Sequence, residues 1–343
     1  MKIEQNFSLE KYNTFRLPVR TRWFMEYADE TELERILRDE YFRELPALHI
    51  GGGSNLLFLN DCDGIILHSA IRGIMPVRET DDTVWLRVGA GESWDNVAAF
   101  AALNGWGGIE NLSLIPGETG AAAVQNIGAY GAEIKDVVDT VEAYNQSTCK
   151  KHVFTNDECR FAYRNSFFKD EQHDPCLITR VTLRLSKRPV FNLSYGHLKE
   201  RLAAIGIPLT VAGVRETVIR IRREKLPDPD ELGNAGSFFV NPVVAQEQFD
   251  RLRRDYPSIP SYPADGNDSV KLSAGWLIEQ CGLKGKRCGA VGVYDRQALV
   301  IVNHGGATGN EIALFAEQIR ATVYRRFGVM LMPEVKYIDS LQR

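Results

Sequence analysis

The sequence predicts an α+β protein made of two or three compact units, and three observations support this expectation. The chain has 343 residues, more than one hydrophobic core usually serves. Residues 83–185 contain the alternating or continuous apolar runs typical of β-strands, whereas the residues after position 232 carry mostly helical patterns. Leu226-Pro227-Asp228-Pro229 separates these two regions and stops a helix. We therefore place a domain boundary near residues 225–232.

The elements before this boundary are expected to be mainly strands. Residues 17–68 should alternate short strands with one helix over Glu30–Asp39. A second helix over 93–103 has Ser93 as its expected N-cap, and a third over 214–225 ends at the proline-rich stop. The expected strands are 46–50, 56–59, 84–88, 137–144 and 176–185.

After the boundary the pattern becomes helical. Residues 233–242 are expected to form a Gly/Asn loop, and residues 297–303 a strand. The expected helices are 244–256, 270–281 and 308–327. Thr308-x-x-Glu311 predicts a capping box at the start of the last helix, whose apolar residues lie on one face.

Composition excludes several classes of function. The net charge of −4 does not suggest nucleic acid or a membrane as a partner, and no apolar run approaches the length of a transmembrane helix. The N-terminal residues lack the apolar core of a signal peptide. The six cysteines form no Cys-x-x-Cys pair and the six histidines show no metal-ligand spacing. We therefore expect a metal-free cytoplasmic protein with free thiols.

Residues 116–131 carry very little side-chain bulk. Four glycines, at positions 117, 120, 128 and 131, are interleaved with Ala121-Ala122-Ala123, Gln125-Asn126 and Tyr130. Gly and Ala bury little apolar surface, so this run is poorly suited to a hydrophobic core. It is suited to bring the backbone close to a large, flat ligand that carries phosphates.

A second glycine run, Gly51-Gly52-Gly53-Ser54-Asn55, lies between two expected strands. Consecutive glycine N–H groups can form an anion-binding concavity, or nest. The run is neither a P-loop, because no Gly-Lys-Ser/Thr follows, nor a Rossmann fingerprint, because no helix follows. Taken alone it fits a plain hairpin turn equally well.

Three polar residues lie in unusual surroundings. Arg164 is placed among aromatic residues, Ser237 lies where a small-residue turn meets an apolar run, and Glu334 lies between apolar neighbours. Each alone is commonly a surface arginine, a turn hydroxyl or a solvent-facing carboxylate. Together they can bind a carboxylate or oxyanion, pass a proton and orient the partner.

Seven motifs occur in an order that resembles a known family. They are Gly51–Asn55, Ile115-Pro116-Gly117, Gln125–Gly131, Tyr163-Arg164-Asn165-Ser166, Lys225–Pro229, Gly236–Pro242 and Pro333-Glu334-Val335. From Asn13 to about Tyr337 the chain resembles the UDP-N-acetylenolpyruvoylglucosamine reductases, flavoenzymes of bacterial peptidoglycan synthesis. Tyr195-Gly196-His197-Leu198 is similar to the substrate-covering loop of the longer variant. Ala121–Ala123 departs from the more polar or proline-containing run expected there.

The resemblance implies a fold and a cofactor. The expected fold is a two-part FAD-binding module of the vanillyl-alcohol-oxidase (PCMH) type, with subdomains over 1–70 and 71–228. A C-terminal α+β substrate domain over 229–343 follows, and its last residues return to the flavin site. FAD should be non-covalent, because neither glycine run contains His or Cys. The implied FAD-binding residues are Gly51, Gly52, Gly53, Ser54, Asn55, Pro116, Gly117, Gly120, Gln125, Asn126, Gly128, Ala129 and Tyr130.

The resemblance also implies a reaction. NADPH reduces FAD, and flavin N5 then gives hydride to the vinyl carbon of UDP-N-acetylglucosamine enolpyruvate, which yields UDP-N-acetylmuramate for the cell wall. Ser237 would protonate the enolate, and Arg164 and Glu334 would stabilise it. The implied substrate-binding residues are Tyr195, Arg222, Lys225, Asn241 and Gln297. The partners would be these two small molecules, and the protein would be a monomer.

Two rival functions stay open at this point. A flavin-dependent sugar or alcohol oxidase on the same module would react with oxygen and need no NADPH. A non-catalytic flavin- or nucleotide-binding protein would need the glycine runs but not Arg164, Ser237 and Glu334. The polar set favours enolate protonation over both, although fold alone would not separate the three.

Overall fold

The computed structural model describes residues 1–170, 172–195, 197–264, 268–339 and 341. The described strands are β1 Lys2–Ser8, β2 Arg20–Tyr27, β3 Ala47–Ile50, β4 Leu56–Phe58, β5 Cys62–Ser69, β6 Ile74–Glu79, β7 Thr83–Gly89, β8 Gly128–Ala129, β9 Ala132–Glu133, β10 Val138–Asn145, β11 Lys151–Thr155, β12 Cys176–Ser186, β13 Gly233–Ser237, β14 Val243–Ala245, β15 Ser261–Pro263, β16 Ser269–Leu272, β17 Arg287–Cys288, β18 Val291–Val293, β19 Val300–Asn303 and β20 Lys336–Ile338. The described α-helices are α1 Glu30–Arg38, α2 Glu40–Arg43, α3 Trp94–Leu103, α4 Thr119–Gln125, α5 Leu198–Ile205, α6 Val211–Lys225, α7 Gln246–Asp255, α8 Ala274–Gln280 and α9 Gly309–Phe327.

The first sheet has the strand order β1-β2-β5-β3, with β5 parallel to both β2 and β3. Asp29 caps α1 by accepting a hydrogen bond from the Glu32 N–H. The apolar face of α1 contributes Leu33, Ile36 and Leu37 to a core that also contains β2 and β5 residues. Strand β3 ends at Ile50, so this sheet delivers the chain directly into Gly51.

The second sheet is antiparallel, with the order β11-β10-β12-β7-β6. Helix α3 packs on it through the fully buried Trp94, whose indole N–H donates to the carbonyl of Leu112. Ser93 precedes α3 as predicted, but its side chain makes no capping hydrogen bond. The first turn is instead tied to the neighbouring segment, because the Trp94 N–H donates to the Gly117 carbonyl.

The C-terminal part contains two small sheets, β13-β19-β18-β17 and β14-β16-β15, packed with α8 and α9. The capping box that Thr308 and Glu311 predicted at the start of α9 is present. Strand β20 then pairs in parallel with β4, which directly follows Gly51–Asn55. Strand β20 therefore lies beside the segment that follows the first glycine run.

Several expectations about elements were wrong in detail. The expected loop over 233–242 begins with β13, and the expected helices over 244–256 and 270–281 each begin with a short strand. These strands are too short to show the alternation of apolar and polar residues by which a strand is predicted. The low-bulk run over 116–131 contains α4, which packing stabilises. Within the described ranges, no helix combines the length and apolarity needed to cross a bilayer.

Candidate active site

Arg164 connects three separate segments of the chain. Its Nη2 donates to the Gly128 carbonyl at 2.7 Å, its Nη1 lies 3.4 Å from the Asn126 carbonyl, and its Nε lies 2.9 Å from Glu334 Oε1. Its backbone has φ 54°, a region that non-glycine residues seldom adopt. The guanidinium is thus held by two carbonyls while it pairs with a carboxylate.

Glu334 is largely withdrawn from water, with 14% of its side chain exposed. Burial raises the pKa of its carboxyl group, against the opposing effects of Arg164 and of Gln125. The Gln125 amide Nε2 is 3.5 Å from Glu334 Oε1, at the limit of a hydrogen bond. The Glu334 carbonyl also accepts from the side chain of Asn55 at 3.1 Å. Both glycine-containing runs therefore contact Glu334.

Ser237 is the last residue of β13 and lies opposite Val300 of β19. The carbonyl of the following residue, Phe238, accepts a hydrogen bond at 2.8 Å from the Glu334 N–H. Ser237 is therefore adjacent in the chain to a residue that contacts Glu334. Gly236 has φ +67°, which permits the turn before the serine. The Ser237 hydroxyl is half-buried and forms no hydrogen bond with any residue that the structure describes. It remains able to donate to a ligand.

The Gly51–Asn55 run is the segment for which an anion-binding nest was predicted, and the name nest is used for these five residues. None of its five N–H groups donates to a protein oxygen within the described part of the chain. Gly53 has φ +66°, and a Cβ there would lie 1.9 Å from the Tyr12 carbonyl oxygen, so only glycine fits. These free donors suit an anionic group such as the diphosphate of FAD.

The two glycine runs lie side by side. The Ser54 hydroxyl donates to the Pro116 carbonyl at 3.1 Å. A Cβ on Gly52 would meet only the Cα of Gly117, at 3.8 Å, so the backbone at Gly52 remains open. Gly117 has φ +115°. The arrangement leaves two stretches of backbone able to contact one ligand, which fits the implied cofactor.

Two residues of the second run have structural explanations. A Cβ on Gly120 would lie 2.9 Å from the Cβ of Ala90, so this glycine allows α4 to pack closely. Asn126 is fully buried, and its amide donates to Glu133 and to the Ala162 carbonyl. The N–H groups of both residues are also bonded, to the carbonyls of Ala90 and Ala123, so neither residue offers a free backbone donor to a cofactor. Ala129 lies in the short β8–β9 hairpin.

Tyr130 joins the second glycine run to two of the predicted substrate residues. Tyr195 is 44% exposed, and its ring lies 6.3 Å from the ring of Tyr130 and 6.3 Å from that of Tyr262. Gly196, the next residue of that predicted loop, lies outside the described residues. Burial lowers the pKa of Arg222, and the charges of Tyr130 and Asp95 partly offset this shift. The Arg222 Nε donates to the Leu114 carbonyl at 3.2 Å.

The other three predicted substrate residues are spread over two places. Asn241 Oδ1 accepts a hydrogen bond from the Ala274 N–H at 3.0 Å. Gln297 Oε1 lies 3.2 Å from the point that a Cβ would occupy if Gly275 carried one. Asn241 and Gln297 therefore meet at the start of α8. Lys225 is the exposed last residue of α6. No described contact joins Lys225 to Arg164 or Glu334.

A cavity of about 290 Å³ connects part of the site. Arg164, Glu334 and Asn241 line it, together with Tyr163 and Lys169, which the sequence did not single out. The Lys169 ammonium donates to the Arg164 carbonyl at 3.0 Å, and burial lowers its pKa. Tyr163 and Lys169 begin and end the segment that contains Arg164. The unusual aromatic surroundings of Arg164 could therefore have pointed to them, whereas their residue types alone could not.

Comparison with known proteins shows the family of this chain. The C-terminal domain model of UDP-N-acetylenolpyruvoylglucosamine reductase matches residues 228–338, and an FAD-binding domain model matches residues 22–148. The chain is 52% identical to the UDP-N-acetylenolpyruvoylglucosamine reductase of Porphyromonas gingivalis ATCC 33277, over 98% of this chain and 100% of that one. This chain belongs to the UDP-N-acetylenolpyruvoylglucosamine reductase family. The family's protein from Bacteroides fragilis ATCC 25285 is 48% identical, over 98% of this chain and 100% of that one.

Solved structures support the fold. The UDP-N-acetylenolpyruvylglucosamine reductase of Thermus caldophilus superposes with a TM-score of 0.69 at 25% identity, covering 98% of this chain and 99% of that one. The 6-hydroxy-D-nicotine oxidase of Arthrobacter nicotinovorans, at 12% identity, has a TM-score of 0.53 and covers 96% and 86%. The latter likeness concerns the fold alone. The predicted family and fold class, a two-part FAD-binding module followed by a C-terminal α+β domain, are confirmed.

Proposed function

We propose that this protein reduces UDP-N-acetylglucosamine enolpyruvate to UDP-N-acetylmuramate with FAD as cofactor and NADPH as reductant. The observation that carries the proposal is the Arg164–Glu334 pair, which both glycine runs contact, in a chain that matches its relatives over nearly their full length. FAD, when bound, supplies the hydride exchange between NADPH and the vinyl carbon of the substrate. The product is a precursor of the peptidoglycan cell wall.

The nest and the open backbone at Gly52 and Gly117 are the parts of the chain that would hold the cofactor. The free N–H groups of Gly51–Asn55 would bind its diphosphate without any lysine or arginine in the run. Neither glycine run contains His or Cys, which supports a non-covalent cofactor. Gly128, Ala129 and Tyr130 would contact it through their backbones.

Arg164 would bind the substrate carboxylate and the enolate that develops next to it. Two of its nitrogens are already held by carbonyl groups, so the side chain needs little reorganisation when charge develops. Glu334 would keep the guanidinium in this orientation. Burial raises the pKa of Glu334 and the charge of Arg164 opposes that shift, so the carboxyl group and the guanidinium would act on the intermediate as a pair.

Ser237 would supply the proton that completes the reduction. Its hydroxyl has no protein partner among the described residues, and the carbonyl of the next residue, Phe238, accepts a hydrogen bond from the Glu334 N–H. Gly236 and Asn234 fix the turn before it, since the Gly236 N–H donates to Asn234 Oδ1 at 2.9 Å. This rigid placement suits a proton donor that has to meet one carbon atom.

The UDP-sugar would lie between the two halves of the site. Lys225 would pair with the diphosphate of the UDP-sugar. Arg222 would keep its hydrogen bond to the Leu114 carbonyl while it lies beside the substrate. Asn241 and Gln297, at the start of α8, would hold polar groups of the sugar or base, and Tyr195 would cover them. We also propose that the domains divide after residues 70 and 228 and that the protein is a monomer. A cytoplasmic location is favoured by its free cysteines.

Anaerobic stopped-flow absorbance tests this function. NADPH alone should bleach the flavin, and the enolpyruvyl substrate should then restore its colour in a second step. An oxidase would instead show rapid recovery with oxygen and no response to the enolpyruvyl sugar. Bleaching that requires the UDP-sugar to be bound first would contradict a single site used in turn by two substrates.

A further inference from the structure

His68 is a buried imidazole bonded to two carboxylates beside the nest. Its side chain is 5% exposed; Nδ1 lies 2.9 Å from Glu26 Oε2, and Nε2 lies 3.0 Å from Glu118 Oε1. Glu26 belongs to β2, His68 to β5, and Glu118 directly precedes α4. One ring therefore links the first sheet to the second glycine run.

Glu118 brings this cluster to the nest. Its other oxygen, Oε2, lies 3.2 Å from the position of a Cβ on Gly51, and 12% of its side chain is exposed. His68 itself is the register partner of Ile50, the residue before Gly51. A carboxylate thus lies against the backbone whose N–H groups are free to bind an anion.

The geometry requires two protons among three groups. Each ring nitrogen faces a carboxylate oxygen at hydrogen-bond distance, and two acceptors cannot bond to each other. A neutral imidazole donates through only one nitrogen, which leaves a lone pair facing a carboxylate. The imidazolium satisfies both contacts and leaves one net negative charge on the cluster.

The surrounding groups favour this charged form. Burial opposes a charge on His68, but the bonds and charges of Glu118 and Glu26 outweigh it and raise the pKa of the imidazole. Burial, with the charge of Glu26, raises the pKa of Tyr12 to about 12, and burial also raises that of Tyr27, so both stay neutral. Burial and the charge of His68 lower the pKa of His49 to about 3, so His49 stays uncharged.

We propose that His68 is a positioning residue of the cofactor site, whose imidazolium holds Glu118 beside the nest and offsets one of the cluster's two carboxylate charges so that a diphosphate can bind there. The proposal rests on the proposed function, because it takes FAD as the ligand. Without the imidazolium, a carboxylate would lie beside two phosphate charges in a partly buried site. Loss of the proton should therefore weaken FAD binding, and bound FAD should in turn favour the proton.

The test measures free FAD in ultrafiltrates of serially diluted full-length holoprotein, from about pH 6 to about pH 9, because the ordinary histidine pKa is about 6.5. The dissociation constant of the wild type should rise at least about tenfold, or about 1.4 kcal/mol, as pH increases through the raised pKa. Thermal unfolding, recorded in parallel, separates flavin loss from unfolding.

Three variants distinguish charge compensation from packing. His68→Gln should weaken FAD binding even at low pH and remove most of the pH dependence. Glu118→Gln keeps an acceptor for His68 but removes the charge, so it should bind FAD at least as well as the wild type and respond less to pH. The double variant should recover affinity relative to His68→Gln. His152→Gln is the matched control, since His152 also faces a carboxylate, that of Glu158 at 3.6 Å, on exposed β11.

The results for His68→Gln and the double variant separate charge compensation from a packing role of His68. An unchanged dissociation constant in His68→Gln, or no recovery in the double variant, overturns the proposal in favour of a packing role. If His68→Gln does not fold, the pH dependence of FAD binding in the wild type and in Glu118→Gln tests the proposal instead. A wild-type dissociation constant that does not change with pH overturns the proposal. A wild type that binds no FAD at any pH contradicts the proposed function instead.

Discussion

Ser237 is a residue whose placement could be predicted only in part. The sequence marked it as a small polar residue before an apolar run, and the structure adds the contact between Phe238 and Glu334 that brings it to the site. That contact joins residues almost a hundred positions apart. Arg164 and Glu334 likewise meet across the chain, so no local pattern could pair them.

Replacing Ser237 with Ala should separate the two half-reactions. Flavin reduction by NADPH needs no proton donor at a substrate carbon, so its rate should be nearly normal. Reoxidation by the enolpyruvyl sugar should slow by about 10²–10⁴, the usual contribution of a general acid. Stopped-flow absorbance measures both rates. Ser186→Ala, which changes another strand-end serine, is the control; near-normal reoxidation in Ser237→Ala would rule out Ser237 as the acid.

Replacing Lys225 with Ala should weaken binding of the UDP-sugar more than it slows chemistry. A lost charge-assisted contact costs about 1.5–3 kcal/mol, so the KM for the sugar should rise by about one to two orders of magnitude. Steady-state kinetics at saturating NADPH measure this effect. Arg223→Ala removes a neighbouring exposed cation of the same helix and should change KM far less. A lower kcat with an unchanged KM would contradict this role.

Helix α1 shows how elements of the two sheets are joined. Glu30 accepts from Lys151 of β11 and from the hydroxyl of Thr179 in β12, and Glu34 accepts from the Tyr144 hydroxyl at 3.1 Å. Glu142 continues this network by pairing with Arg87 and Lys151. These contacts connect the first sheet's helix to the second sheet, which is expected to keep the two parts of the cofactor site in register.

Replacing Glu142 with Gln should destabilise the protein by about 3 kcal/mol, because it leaves the part-buried guanidinium of Arg87 without its carboxylate partner, whereas Lys151 keeps Glu30. Burial opposes the charge of Glu142, but Arg87 and Lys151 outweigh it and lower its pKa to about 2. The stabilisation is therefore complete above the ordinary glutamate pKa of about 4.3 and is lost as pH falls towards 2. Urea unfolding at several pH values measures it.

The control for this prediction is Glu79→Gln in the same sheet, where the carboxylate is exposed and pairs with Lys187. An exposed pair is worth about 0–1 kcal/mol, so stability should change little. Equal losses in Glu142→Gln and Glu79→Gln would indicate that burial does not strengthen the Glu142 network.

Local signals explain which elements the sequence could predict. Helix α9 was predicted with its cap, because Thr308, Glu311 and the apolar face all lie within one segment. Helix α4 was not, because a Gly/Ala run has no apolar period and depends on packing against Ala90. Strand β14 has three residues and gains its partner, β16, only through the tertiary fold.

At the scale of the whole molecule, the cofactor should be released without breaking a covalent bond. Purified protein should be yellow, and heat or acid precipitation should leave the colour in the supernatant, because the donors at the nest are backbone N–H groups and neither glycine run offers His or Cys. Absorbance of the two fractions measures this release. Colour retained by the washed precipitate would indicate a covalent link.

The parallel pairing of β20 with β4 also sets an order of events during synthesis. Asn55 and Glu334 are 279 positions apart, yet the glycine run, β4 and β20 form one structure. A ribosome makes the N-terminal residues first, so β4 has no partner strand until residues 336–338 have been translated. Nascent chains arrested before that point lack the strand that holds Glu334 in place. Flavin capture should therefore begin only after residues 336–338 have left the ribosome, and arrested chains of increasing length, assayed for bound FAD, would reveal when it begins.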